Sequence, residues 1–258
     1  VSWAAASRAP VSRATPFSAP YRVRFDEAGP DGLVRTSVLL RFAQDVAWLH
    51  SDALGFDRDW YEARGLVWLV RAAEVVVSGA VASGDQLEVS TRVIGFRHVL
   101  ARRRAEVRRA GAVLATVDTD WVMTDADRGA PTRIPEAILA GFPVSSHAFS
   151  PLRAALDGEG PSTGTPFRAR PDDLDPLGHA NNGAYLDWLE AAVADLPDGP
   201  GRLVARPRTI RLEYVRPAGP GEDLVAATWV VARDPGSVAY HVVARSDGSE
   251  RLRATHRT

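Results

Sequence analysis

The sequence predicts an α+β protein made of two copies of one unit, each a long helix lying across an antiparallel sheet. Three observations predict it. A glycine–acid turn that feeds an alternating strand occurs twice, as Ala82-Ser-Gly84-Asp85-Gln-Leu87-Glu-Val89 and as Gly219-Pro-Gly221-Glu222-Asp-Leu224-Val-Ala226. The strand pattern upstream of the first turn, Arg71 to Val77, recurs as Arg208 to Tyr214 at the same offset of 137 residues. Each half also opens with a stretch of helical period ahead of its strands. Self-similarity at a fixed offset is the mark of a duplicated unit.

The elements follow in order. Residues 1–19 read as a disordered tail: they hold Arg8 and Arg13 among Ser, Ala and Pro, with no acid before Asp26. A transit peptide is the other reading of such a leader. Residues 20–143 form the first unit. Its helix, Ser37–Leu54, sets Val38, Leu39, Phe42, Val46, Leu49 and Ala53 at helical spacing behind Thr36 as N-cap. Strands are expected at Arg71–Val77, Arg97–Ala105 and Val113–Val122, with a turn at Arg109-Ala-Gly111. Within them, Arg102-Arg103-Arg104 alternates with Ala101, Ala105 and Val107, which reads as the solvated face of a strand or as a surface for an acidic carrier protein or a phosphate. Residues 144–164 are Ser/Gly/Pro-rich and read as a linker, with a turn of helix at Pro151–Leu156.

Residues 165–258 form the second unit. Its helix, Gly183–Leu196, places Tyr185, Trp188, Leu189 and Ala192 on one face, with Asn182 in the capping position. Strands at Ser237–Val243 and Arg251–His256 flank a turn at Asp247-Gly248. Trp48, Trp60, Trp68 and Trp188 read as core residues, and Trp68 also as a pocket-lining one.

Composition narrows the chemistry. The 258 residues are 45% hydrophobic and 24% charged with a net charge of −1, which describes a soluble globular protein and argues against a nucleic-acid binder. Cysteine is absent, which removes disulfides, thiolate metal sites and a cysteine nucleophile. All 31 Lys+Arg residues are arginine, which excludes a Walker P-loop and every Schiff-base mechanism. The longest apolar stretch, Leu66–Val77, is broken by Arg71 and Glu74, so no membrane span is expected and the cytoplasm is the expected compartment.

The two copies differ in chemistry just ahead of their helices. Aligning Gly32-Leu-Val-Arg-Thr36 with Gly178-His179-Ala-Asn181-Asn182 puts Asp175 opposite Gly29 and His179 opposite Leu33. Chemistry-capable residues therefore occur only in the second copy. Pro176 and Gly178 prevent helix between Asp175 and His179, so both sit on a tight loop feeding a helix start, where free N–H groups and the positive dipole end point outward. A carbonyl placed there is polarised while Asp175 supplies a base or a nucleophile, the parts needed for acyl transfer or hydrolysis. The plainer readings are a helix cap for Asn182, a loop tie for Asn181, a backbone-bonded His179 and a turn residue at Asp175. A calcium loop starting at Asp173 fails at Leu177 and Ala184, and no metal or cofactor is expected.

At these residues the sequence resembles a known family. The segment Asp175-Pro-Leu-Gly-His179-Ala-Asn-Asn182-x-x-Tyr185-Leu-x-Trp188-Leu-Glu190 resembles the active-site segment of hot-dog thioesterases. The layout, from about Tyr21 to His256 and including Gly65-Leu-Val-Trp68-Leu-Val-Arg71, resembles the double hot-dog acyl-acyl carrier protein thioesterases. The resemblance implies a tandem hot-dog fold and hydrolysis of an acyl thioester held on a carrier protein or on CoA. It implies catalysis by Asp175 and His179, support from Gly178, Asn181 and Asn182, and an acyl pocket in the first unit near Trp68. Arg206, Arg208 and Arg216 are candidates for the pantetheine phosphate. The family segment resembles D-x-N-x-H-x-N-N followed by Glu and often Cys; here those Asn, Glu and Cys positions hold Leu177, Pro217 and Ala218. The loop form is closer to single-module acyl-CoA thioesterases of the 4-hydroxybenzoyl-CoA type. A non-catalytic acyl-thioester binding protein and a hot-dog dehydratase or hydratase stay open as alternatives, as do monomer and homodimer.

Overall fold

The computed structural model describes residues 16–142, 144, 149–158, 164–232 and 237–258. β1 (Phe17–Arg22) leads into α1 (Thr36–Ala53) and the short α2 (Arg58–Glu62). Then β2 (Leu66–Val77), β3 (Gln86–Arg97), β4 (Leu100–Arg109) and β5 (Ala112–Asp125) run antiparallel, and α3 (Glu136–Gly141) ends the first half. The second half repeats the plan with β6 (Thr165–Arg168), α4 (Asn182–Ala194), α5 (Gly199–Val204), β7 (Arg208–Tyr214), β8 (Asp223–Ala232), β9 (Ser237–Arg245) and β10 (Glu250–Arg257).

All ten strands join one sheet in the order β1-β3-β4-β5-β2-β7-β10-β9-β8-β6. Exchanging each strand of one half for its counterpart in the other reverses this order onto itself, so the molecule has a pseudo-twofold axis between β2 and β7. Those two strands pair from Ala72↔Glu213 to Val77↔Arg208. The helices α1 and α4 pack against each other, and one apolar cluster runs through both halves, with Leu39, Leu40, Val75, Leu186, Ile210 and Leu212 among its members. Burying each such side chain stabilises the fold by roughly 1.5–3 kcal/mol. This is the double hot-dog, an α+β fold. Among the described residues no helix is long and apolar enough to cross a membrane.

Strand alternation decides which groups face the helices. In β4, Ala101, Arg103, Ala105 and Val107 are buried while Arg102, Arg104, Glu106 and Arg108 are only partly so. On the outer face Arg102 and Arg104 make two-pronged pairs with Asp120 (2.6 and 2.8 Å) and Asp118 (2.7 and 2.6 Å) on β5. The β4–β5 turn needs left-handed backbone at Ala110 (φ 48°) and Gly111 (φ 84°), as two-residue hairpins with the favoured twist do.

Several expectations shift. Residues Phe17–Ala19 belong to β1 and not to a tail, while residues 1–15 lie outside the described residues. Arg97–Ala105 is not one strand: β3 ends at Arg97, and His98 turns the corner with φ 53°. Arg35, not Thr36, occupies the α1 cap, because the Thr36 hydroxyl accepts instead from buried Arg208. Asn181, not Asn182, caps α4. Trp48 is 41% exposed and so is not a core residue. Pro151–Leu156 forms no helix. The segment crosses the outer face of the sheet, where the N–H groups of Leu152 and Ala154 donate to Asp120 (2.7 Å) and Glu213 (3.2 Å), which removes the need for helical partners.

Candidate active site

Asp175-Pro176-Leu177-Gly178 is a β-turn, closed by the Gly178 N–H donating to the Asp175 carbonyl at 2.9 Å. Aspartate at the first position and proline at the second favour this turn, and Gly178 at φ 81° lets the chain double back. The Asp175 N–H then donates to the His179 carbonyl at 3.0 Å, so the two residues face each other across the turn. Asp175 Oδ1 accepts from the Leu177 N–H at 2.9 Å and lies 3.8 Å from His179 Nδ1. That second distance is too long for a hydrogen bond. The side chains are 17% and 30% exposed, so both reach solvent and a ligand.

Two residues further on α4 begins. The Asn181 side chain accepts from the Gly183 N–H at 2.9 Å, and Asn182 is the first helical residue. Its carbonyl accepts from the Tyr214 hydroxyl at 3.0 Å. Behind the loop, the Ala180 N–H donates to the Ala218 carbonyl, and the Ala218 N–H donates to the Tyr185 hydroxyl, both at 2.9 Å. The two tyrosines therefore fix the helix start to the β7–β8 connection. Sequence reading missed this pair, although the helical spacing had placed Tyr185 on the buried face. Tyr185→Phe strands the fully buried Ala218 N–H, at a cost of about 1–3 kcal/mol. Thermal melting should show a matching loss, and an unchanged melting temperature would mean that the N–H finds another acceptor.

The equivalent niche at the start of α1 is already filled. Glu190 of α4 accepts from the Thr36 N–H at 3.2 Å, and Arg208 donates to the Thr36 hydroxyl at 2.9 Å. Burial raises the Glu190 carboxyl and pushes the Arg208 guanidinium down to about 10. By the same helix-to-helix correspondence the counterpart of Glu190 is Gln44, which carries no charge. Arg71, the counterpart of Arg208, turns away to the Tyr214 carbonyl and the Glu213 carboxylate. Of the α1 and α4 starts, only that of α1 has, among the described residues, a carboxylate of the opposite helix on its first N–H groups.

The structure brings Asp175, Gly178, His179, Asn181 and Asn182 together and places the other candidates elsewhere. Trp68 stands on the wall of an apolar pocket in the first unit, with its indole N–H donating to the Tyr61 hydroxyl at 3.1 Å. Arg208 is 3% exposed and spent on Thr36, which corrects the expectation that it meets a solvent-borne phosphate. Arg216 is exposed on the loop after β7, beside Pro217 and Ala218.

A double hot-dog with one Asp–His turn at a helix start defines the class. Family models for the N-terminal and C-terminal domains of acyl-ACP thioesterases match residues 15–142 and 159–257. The chain belongs to the acyl-ACP thioesterase family. It is 25% identical to the chloroplastic palmitoyl-acyl carrier protein thioesterase of Arabidopsis thaliana over 92% of this chain and 62% of that protein. It is likewise 25% identical to the chloroplastic dodecanoyl-[acyl-carrier-protein] hydrolase of Cinnamomum camphora over 92% of this chain and 66% of that one. The chain thus spans under two thirds of the length of these relatives. Among solved structures, the 12:0-ACP thioesterase of Umbellularia californica superposes with TM-score 0.77 at 22% identity, over 94% of this chain and 93% of that one. An acyl-ACP thioesterase of Bacteroides thetaiotaomicron gives 0.78 at 14% identity, over 96% and 99%.

Proposed function

We propose that the chain hydrolyses an acyl thioester carried on the phosphopantetheine arm of an acyl carrier protein, in the cytoplasm, to the free acid and the carrier thiol. One observation carries this reading: of the α1 and α4 starts, only that of α4 lacks, among the described residues, a carboxylate supplied by the opposite helix, and its loop bears Asp175 and His179. The thioester carbonyl sits at the start of α4, where the helix dipole stabilises charge growing on its oxygen. Asp175 takes the proton of an attacking water or attacks the carbonyl itself, and His179 orients the thioester and offsets developing charge. The acyl chain enters the aromatic pocket of the first unit, and Arg216 faces the carrier's phosphate. The names of the curated relatives favour a carrier protein over CoA.

The test is free-thiol release from a panel of acyl-carrier-protein and acyl-CoA thioesters. Release from the carrier-protein thioesters is the expected result. The apolar side chains of Leu177, Pro217 and Ala218 around the loop favour one other reading, a protein that binds acyl thioesters without turning them over. Tight binding with no thiol released from any substrate would establish it.

A further inference from the structure

We propose that the pocket of the first unit accepts an acyl chain bearing an oxygen function near its far end, a carboxylate above all, and that Arg103 is the residue that selects it. The proposal rests on the thioesterase reading and names the substrate class for the same site.

Arg103 points inward from β4, while its neighbours Arg102 and Arg104 point outward and are matched by Asp120 and Asp118. No such match exists inside. Its guanidinium lies in the pocket lining at 9% exposure, with Nη1 3.2 Å from His50 Nδ1 and Nη2 donating to Ser51 Oγ at 3.0 Å. Its Cζ stands 4.8 Å from the centre of the Phe142 ring. Among the described residues no carboxylate pairs with it. Burial pushes it down to about 10, so it stays charged at neutral pH. The neighbouring imidazole is held neutral by its own burial and by this cation. A buried cation facing a neutral histidine, a hydroxyl and a ring is uncompensated, which proteins avoid unless a ligand completes the pair. Two of its five donors are used, and the planar fork left over suits a carboxylate.

The distance of Arg103's neighbour Ser51 from the start of α4 fits a chain end. A Cβ added to Gly183, in the first turn of α4, would fall 2.9 Å from Arg41 Nε, so the start of α4 abuts α1 at Arg41. Ser51 lies ten residues further along α1, or ~15 Å at the helical rise. An extended hydrocarbon built of ~1.5 Å bonds covers that distance in about twelve carbons. Trp48, Trp68, Phe96 and Trp121 line the pocket beside Arg103. A chain ending in methyl would bury the guanidinium without pairing it.

The experiment compares carrier-bound thioesters of about twelve carbons that differ only at the far end: methyl, hydroxyl, oxo and carboxylate. For the wild type, kcat/KM should favour the oxygenated chains at least about tenfold, the carboxylate most. Arg103→Met should reverse the order, and Arg103→Lys should keep part of it. A wild-type preference for methyl, or the same ratio in Arg103→Met, would overturn the proposal while leaving thioester hydrolysis standing. Binding of the free monoacid and diacid, followed by tryptophan fluorescence, reads the pocket without turnover. Arg103-dependent preference for the diacid with no thiol release would uphold the pocket and sink the thioesterase reading. Equal affinity for the two acids would overturn the pocket.

Discussion

Asp175→Asn is expected to lower kcat for thioester hydrolysis by about 10²–10⁴, the range usual for loss of a positioned base or nucleophile. The substitution isolates the charge. Asparagine still offers an oxygen to the Leu177 N–H, so the turn that holds His179 across from it is kept. The melting temperature should therefore stay close to that of the wild type while turnover disappears. Asp175→Ala is the harsher comparison, because it removes both the charge and the turn's hydrogen bond. If Asp175→Asn turned over at the wild-type rate, the carboxylate would be only a turn residue, and the chemistry would have to come from elsewhere.

Mild acid is expected to destabilise the protein. Burial pushes His50 down to about 3, with the Arg103 charge adding to it. Burial does the same to His241, to about 3, and to His256, to about 4, helped by neighbouring histidine and arginine charge. All three sit near 6.5 in the unfolded chain. Between these values the unfolded state binds protons that the folded state refuses, so the stability present above pH 6.5 is lost as pH falls. Going from pH 6.5 to 5 costs about 1.6 kcal/mol per histidine, or roughly 5 kcal/mol for three. Glu190 works the other way, since its raised carboxyl takes up a proton in the folded state first, and it offsets part of the loss. Set against a typical net stability of about 5–15 kcal/mol, the remainder lowers the melting temperature by on the order of 10 °C or more. Melts recorded across that range check it. His50→Gln should remove about a third of the slope, and a flat profile in the wild type would mean that the imidazoles take up protons inside the folded chain.

Much of the architecture was legible because it rests on local rules. The helical spacing around Leu39 and Phe42, the twofold Gly–acid turn and the alternation of β7 all report burial directly, and the strand Arg208–Tyr214 has the bounds that its pattern implied. The Asp175 turn was legible for the same reason, since Asp-Pro-x-Gly has few other conformations. Adjacent asparagines at 181 and 182 differ by one residue in chain position, and only the hydrogen bond to Gly183 tells which one caps. Long-range matters were not legible. The order of strands, the path of residues 149–157 across the outer face and the burial of Arg208 depend on partners from about thirty to more than a hundred and seventy residues away. Arg103 is the instructive miss. The alternation Ala101-x-Arg103-x-Ala105-x-Val107 places it among buried residues, but an arginine within a run of three reads as solvent-facing by composition.

The strand order has one more consequence. A sheet of ten strands that does not close has two free margins, β1 and β6, whose outward N–H and C=O groups invite another chain to pair. Each margin carries a proline, Pro20 in β1 and Pro166 in β6, which cannot donate to an added strand. β6 is also only four residues long. Among the described residues, growth of the sheet from molecule to molecule is therefore disfavoured at both margins.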